Sequence, residues 1–267
     1  MYAFDYQRPT ALSDAGAALS ADPEAKALAG GQTLLPTLKQ RLAQPTALVD
    51  LSRIPGLSGI SAIPEGVSIG AMARHAEVAA SALVRETIPA LAELASVIGD
   101  AAVRNRGTIG GSLANDDPTA DYPAAVLGLN ATVVTDRRSI AAADYFRGLF
   151  ETALEEGEII TRVDFPRVAA AGYAKFRNPA SRYAMAGVFV SKTAAEVRVA
   201  VTGAGQSGVF LWTEAGAVLA SDFSPQAVAD LVLDPTNLMS DLHGSAEYRA
   251  QLAKVMLKRA VERARAM

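Results

Sequence analysis

Residues 47–51 (ALVDL) form a short apolar run between Pro45 and the turn residues RIPG, a strand pattern. Residues 59–63 and 66–71 flank the turn Pro64-Glu65-Gly66 and predict a hairpin. The period then changes to that of a helix. Ile88, Leu91, Ala95 and Ile98 fall on one face, Thr87 stands where a cap belongs, Pro89 lies in the first turn and Gly99 follows as a stop. Residues 131–135 (ATVVT) and 159–165 (IITRVDF) read as buried strands. Residues 166–172 (PRVAAAG) read as a linker.

Beyond it, residues 185–191 and 197–202 predict antiparallel strands around a polar turn with Lys192 and Glu196. Two helices are expected to close the chain, one near 225–233 and one over 245–264. The second carries Tyr248, Leu252, Val255 and Met256 as an apolar stripe, with Arg259, Arg263 and Arg265 near the negative end of its dipole. The pattern is α+β: a larger portion over 1–166 and a smaller sheet-plus-helices portion over 172–267.

Two polar, glycine-rich stretches interrupt this pattern. AGGQTLLP spans residues 29–36 and RNRGTIGGSLANDDPTADYPAA spans 104–125. Paired glycines admit positive φ and let successive N–H groups point into one concavity, which binds phosphate without a lysine. Ala29, Gly30, Gly31, Gln32 and Thr33 make the first such loop, with a helix expected near Leu35. Read alone, it is equally an ordinary strand-to-helix turn. Thr108, Ile109, Gly110, Gly111 and Ser112 make the second, and Asp121 follows with a carboxylate suited to a ribose or adenine edge. Each hydrogen bond to a charged phosphate contributes about 1.5–3 kcal/mol, so a few from each loop suffice for a dinucleotide. Neither loop has the three-glycine Rossmann spacing or the Lys-Ser/Thr ending of a P-loop.

Composition narrows the chemistry. The chain has 267 residues, half of them hydrophobic and 20% charged, which suits a globular protein with a real core. A net charge of −3 and no run of basic residues longer than two argue against nucleic acid. There is no cysteine, so no thiol nucleophile, disulfide or cysteine-held iron–sulfur cluster belongs to this chain. With two histidines, His75 and His243, a histidine-rich metal site is equally disfavoured. Redox work here needs an organic cofactor. No signal peptide and no membrane-spanning run is visible, and a soluble cytoplasmic protein is the expectation.

Four motifs in order, namely AGGQTLLP, the 104–125 stretch, EGEIITRVDFP and YAKFRNPASRYAMAGV, resemble the FAD-binding medium subunit of the molybdenum hydroxylases. That family includes carbon monoxide dehydrogenase and xanthine dehydrogenase, and the resemblance covers nearly the whole chain. It implies a FAD domain of the vanillyl-alcohol-oxidase (PCMH) type, made of two α+β subdomains, over 1–166. A C-terminal flavoprotein domain of small antiparallel sheet plus helices is implied over 172–267.

Carried over by motif, residues 29–33 and 108–112 would hold the FAD diphosphate and Asp121 would lie near the adenosine half. Ile160 and Lys175 would touch the flavin region, and Tyr183 would lie over the isoalloxazine ring. Locally, Lys175 reads as a solvated strand residue and Tyr183 as a half-buried anchor of the C-terminal sheet. His75 reads as structural or as a neighbour of the flavin, and His243 as part of a turn. The family pattern is broken at Gln32-Thr33, where His-Ser or Asn-Ser is usual. It is broken again at Asp116-Asp117, where Ala-Asp is usual; an extra carboxylate near a diphosphate is expected to point away from it.

The resemblance also implies partners. A large subunit would hold molybdopterin, a small one two [2Fe-2S] clusters, and the complex would be a dimer of heterotrimers passing electrons through FAD to an external acceptor. No catalytic acid or base and no metal ligand set is nominated in this chain. A stand-alone FAD-dependent oxidase or reductase, and a non-redox nucleotide-binding protein, are the alternatives.

Overall fold

The computed structural model describes residues 1–266. The chain opens with β1 (Asp5–Gln7), α1 (Leu12–Ala21), β2 (Lys26–Leu28), α2 (Leu34–Lys39) and β3 (Ala47–Asp50). These make a parallel three-stranded sheet in the order β1-β3-β2, whose central strand is buried along its length. Its small core includes Leu19, Val49, Leu51 and Leu57.

The second unit starts with the expected hairpin, β4 (Ile60–Ile63) and β5 (Gly66–Gly70), paired from Ile60↔Ile69 to Ile63↔Gly66. A helical stretch follows: α3 (His75–Ala80), α4 (Ala82–Thr87), α5 (Pro89–Ser96), α6 (Ala101–Arg104), α7 (Ile109–Asn115) and α8 (Tyr122–Gly128). Then come β6 (Thr132–Thr135), β7 (Ser139–Ala141), α9 (Ala142–Tyr145), the small hairpin β8 (Phe146–Gly148) and β9 (Glu151–Thr152), and β10 (Ile160–Pro166). Strand β10 pairs antiparallel with both β5 and β6, so the sheet reads β4-β5-β10-β6-β7. Ile160, Val163 and Phe165 bury one face of β10 while Arg162 and Asp164 meet each other on the other.

The last unit is an antiparallel sheet of β11 (Ala170–Arg177), β12 (Ala184–Lys192), β13 (Val197–Thr202) and β14 (Phe210–Leu211), covered by α10 (Thr213–Ser221) and α11 (Ala246–Ala266). The buried stripe of α11 includes Leu252, Ala253, Met256, Leu257, Ala260 and Val261. Small residues let it lie close on the sheet: a methyl added to Gly172 would sit 2.0 Å from the Ala260 carbonyl oxygen.

The core does not stop between these units. Ala171, Tyr173, Phe189 and Ala200 of the C-terminal sheet belong to the same buried cluster as Val67, Leu91 and Phe165. Helix α8 is buried at every position, and its carbonyls are capped from the C-terminal sheet. Ser191 Oγ donates to Gly128 O (2.7 Å) and Arg198 Nε to Leu127 O (3.1 Å).

Four expectations need correction. The connection between β10 and β11 is only residues 167–169, because Pro166 still pairs with Gly66 and 170–172 already pair with β12. Thr87 ends α4 rather than capping the next helix; Ser81 caps α4, and α5 starts at Pro89 without a side-chain cap. Residues 225–233 form successive turns, with Val228 their buried anchor, and the helix lies earlier at α10. In α11, Leu252 and Met256 are buried as expected, but Tyr248 is exposed and Arg249 is buried instead.

Candidate functional site

The first glycine loop leaves β2 and enters α2. Gly31 takes φ +69°, and the amides of Gly30, Gly31, Gln32 and Thr33 donate to no acceptor among the described residues. The Gln32 side chain folds back so that its Nε2 donates to Gly30 O (3.2 Å). Gly30 is there because the second loop lies directly against it. A methyl on Gly30 would sit 2.3 Å from Arg106 O and 2.7 Å from Gly107 Cα.

The second loop is built differently. Thr108 caps α7, and its hydroxyl accepts from Gly111 N (3.1 Å). Ile109 N donates to Ala73 O (3.1 Å), Gly110 N to Ala71 O (2.8 Å) and Ser112 N to Thr108 O (3.0 Å). The expectation that this loop offers a row of free amides is therefore wrong for residues 109–112. Carbonyls just beyond β5 have taken those of Ile109 and Gly110, and the hydroxyl and carbonyl of Thr108 those of Gly111 and Ser112. What the loop brings to its surroundings is close approach at Gly110 and Gly111, together with the hydroxyls of Thr108 and Ser112.

Between the loops lies a cavity of about 450 Å³. It is lined by all of the expected site residues except Ile109 and Lys175. Ile109 is fully buried beneath the loop, and Ile160 presents from the start of β10. Tyr183 is 44% exposed and stands at the cavity with Ser181 and Arg182.

Asp121 and Lys175 come together, but not as two separate ligand contacts. The Lys175 ammonium lies 2.9 Å from the Asp121 carboxylate, the two side chains being 2% and 4% exposed, and the buried Tyr173 hydroxyl donates to the same carboxylate. Burial pushes the Asp121 carboxyl up, and Lys175 and Tyr173 oppose that shift. A cavity-wall carboxylate of one unit is thus held by two side chains of β11.

Three further groups surround the cavity. Glu158 lines it with its carboxylate turned to Arg138, which donates from Nε (3.0 Å) and Nη2 (2.9 Å); that bidentate pair and the Thr135 hydroxyl hold Glu158 down at about 2. Asp116 adopts a left-handed conformation (φ 42°, ψ 50°) behind the loop and is 2% exposed. It does not line the cavity, as expected from its charge, but neither carboxylate oxygen has a hydrogen-bond partner. Burial and the neighbouring Asp117 raise it to about 7. His75, the first residue of α3, is buried, lines the cavity and packs on Tyr122 with ring centroids 5.4 Å apart. Desolvation, then the Arg104 charge, lowers it to about 4.

The arrangement suits an elongated dianionic ligand. Free amides on one side, hydroxyls and glycine faces on the other, and apolar walls such as Leu28, Met72 and Ile98 match a diphosphate joined to flat rings. Sequence reasoning missed Glu158 as a cavity residue and left His75 undecided; their signals lie in tertiary contacts, not in local pattern.

Comparison with known proteins gives a consistent result. Residues 2–168 match the family described as FAD binding domain in molybdopterin dehydrogenase, and residues 171–264 match the CO dehydrogenase flavoprotein C-terminal domain. The chain is 37% identical to the nicotine 6-hydroxylase medium subunit of Paenarthrobacter nicotinovorans, over 97% of this chain and 96% of that protein. It is 38% identical to the carbon monoxide dehydrogenase medium chain of Afipia carboxidovorans, over 98% and 97%. In structure it superimposes on a chain of reconstituted CO dehydrogenase from Oligotropha carboxidovorans with a TM-score of 0.91, at 36% identity, covering 99% of this chain and 98% of the other.

Proposed function

The chain belongs to the FAD-binding medium subunits of the molybdenum hydroxylases, and from that membership we propose that the cavity between its two glycine loops holds the FAD. The observation that carries this reading is the row of free amides at residues 30–33 facing a cavity closed on its other side by Thr108 and Ser112. Bound flavin supplies reversible electron uptake and release, which no side chain of this cysteine-free chain offers.

The chain's own residues have the tasks of binding and placement. The amides of the first loop and the hydroxyls of the second would take the diphosphate. Ile160 and Tyr183 would border the ring system, while Lys175 would act through Asp121 and not on the flavin itself. The lining acids Asp121 and Glu158 are each bound to a cation, so the anionic ligand meets less bare negative charge than the sequence implies. In this reading the FAD-binding domain is 1–166 and the flavoprotein C-terminal domain is 172–267.

The chain is the medium subunit of a multi-subunit oxidoreductase. The finer assembly in this reading is a large molybdopterin subunit, a small subunit with two [2Fe-2S] clusters, and a dimer of such heterotrimers in the cytoplasm. Among the described residues no helix is long and apolar enough to cross a membrane. Electrons would enter from the iron–sulfur subunit and leave through FAD to an external acceptor.

Reconstitution tests this. The complex with all three chains should reduce an artificial acceptor when given substrate. The same complex lacking this chain should bleach its iron–sulfur absorbance with substrate yet lose acceptor reduction. Full turnover by this chain alone would contradict the reading.

A further inference from the structure

The cavity sets a charge problem for its ligand. Its lining cations, Lys26 and Arg182, lie outside the second glycine loop; Asp121 and Glu158 are held by Lys175 and Arg138, and among the described residues Asp117 is the lining carboxylate without a bound cation. His75 sits where a further positive charge would help. Its backbone N donates to Gly107 O (3.0 Å), one residue before Thr108, and a methyl on Gly107 would lie 2.6 Å from His75 Nε2. The ring is therefore pressed against the base of the second glycine loop. Its Nδ1 is buried and has no partner. A partnerless N–H costs more than a partnerless lone pair in that position, so the ring hydrogen belongs on Nε2, toward Gly107 and the cavity.

The groups around the ring leave it uncharged in the free chain. Arg104, on α6, is the charge that bears on it and repels a proton; its guanidinium is tied to the carbonyls of Ile98 (3.0 Å) and Gly99 (3.2 Å). From α8 it faces Tyr122, and the adjacent Asp121 is already held by Lys175 and Tyr173. On its own helix, Glu77 is bound by Arg74. Among the described residues no free carboxylate pairs with it.

Resting on the FAD reading above, we propose that His75 is a proton-carrying contact for the diphosphate of the bound dinucleotide. Neutral in the free chain, it takes one proton from solvent as the dianion enters, and the imidazolium supplies the cation that the glycine loops lack. Removing the opposing field is the dianion's part, because a nearby negative charge favours the protonated ring. The affinity for FAD should then strengthen as pH falls between the bound and the free pKa of His75.

Calorimetric titration tests this on the complex purified with its partner subunits and freed of FAD. The titration is run in buffers of different ionisation enthalpy, and in a D116N background so that Asp116 contributes no proton. Close to one proton taken up per FAD near pH 6, and a Kd that tightens up to about tenfold per pH unit from 8 toward 5, is the expected result. H75Q should keep FAD but show neither the uptake nor the pH dependence. No proton exchange in the parent complex, a count that needs no His75 variant, would overturn the proposal; so would unchanged uptake in H75Q. A parent complex that takes up no FAD at any pH would instead sink the flavin reading itself, and the proposal with it.

Discussion

The two glycine loops have nearly the same residue types and opposite hydrogen-bonding. In the first, residues 30–33 keep their amides free and the side chain of Gln32 bonds only to its own loop. In the second, residues 109–112 give theirs to Ala73, Ala71 and Thr108. The second loop is further tied down downstream, where Asp121 is gripped by Tyr173 and Lys175 from another sheet. One loop is a donor surface and the other a wall. A glycine-rich stretch therefore does not by itself mean a row of phosphate-binding N–H groups; the carbonyls opposite it decide.

The largest effects should come from breaking what locks the wall. Lys175→Met leaves the Asp121 carboxylate buried without its cation. It should cost about 3–5 kcal/mol in urea unfolding at pH 7, with a smaller loss at acid pH where Asp121 protonates. A loss that does not vary with pH would mean that the pair is not what matters there.

Asp116, behind the same wall, gives the opposite sign. Its folded pKa near 7 lies above its ordinary value, so the folded chain keeps a proton that the unfolded chain releases. Its stability penalty is absent below about pH 4, grows as pH rises and is complete above 7. Asp116→Asn should stabilise the protein at pH 8 by up to about 4 kcal/mol and leave it unchanged at pH 4, read as a Tm series.

Gly30→Ala tests the donor surface. The added methyl meets backbone of the second loop at 2.3 Å, so the loops must part. FAD affinity should fall at least about a hundredfold, near 3 kcal/mol. Gly111→Ala meets Thr108 Oγ1 at 3.0 Å and Ala29 Cβ at 3.5 Å, and should cost under about tenfold. Equal losses at both glycines would erase the distinction drawn between the loops. The smallest effect should follow Thr108→Ala. Losing the cap of α7 should lower stability by about 1 kcal/mol, with FAD affinity reduced only a few-fold.

Much of this was legible in the sequence. Both loops, the hairpin ending at β5 and strand β10 with Ile160 at its start follow from short-range pattern. What was not legible depends on distant atoms. Lys175 finds its carboxylate 54 positions away, so no local reading could tell a flavin contact from a structural pair. Two of the second loop's amides, those of Ile109 and Gly110, are spent on carbonyls more than thirty residues earlier. Helix α10 was hidden because Gly216 and several small residues weaken its pattern; the glycine is needed where a methyl would meet Val197 O at 2.7 Å. Residues 225–233, by contrast, bury only Pro225 and Val228, too little to hold a helix there.

The central claim is that the free amides of the first loop are what hold a flavin in this subunit. The most direct test is the flavin content of the complex with its partner subunits, by visible absorbance after exhaustive desalting, for the parent chain and for G30A side by side. One flavin per copy of this chain in the parent, and little or none in an equally assembled G30A complex, is the predicted result. A parent complex without flavin, or a G30A complex with full flavin, would contradict the account.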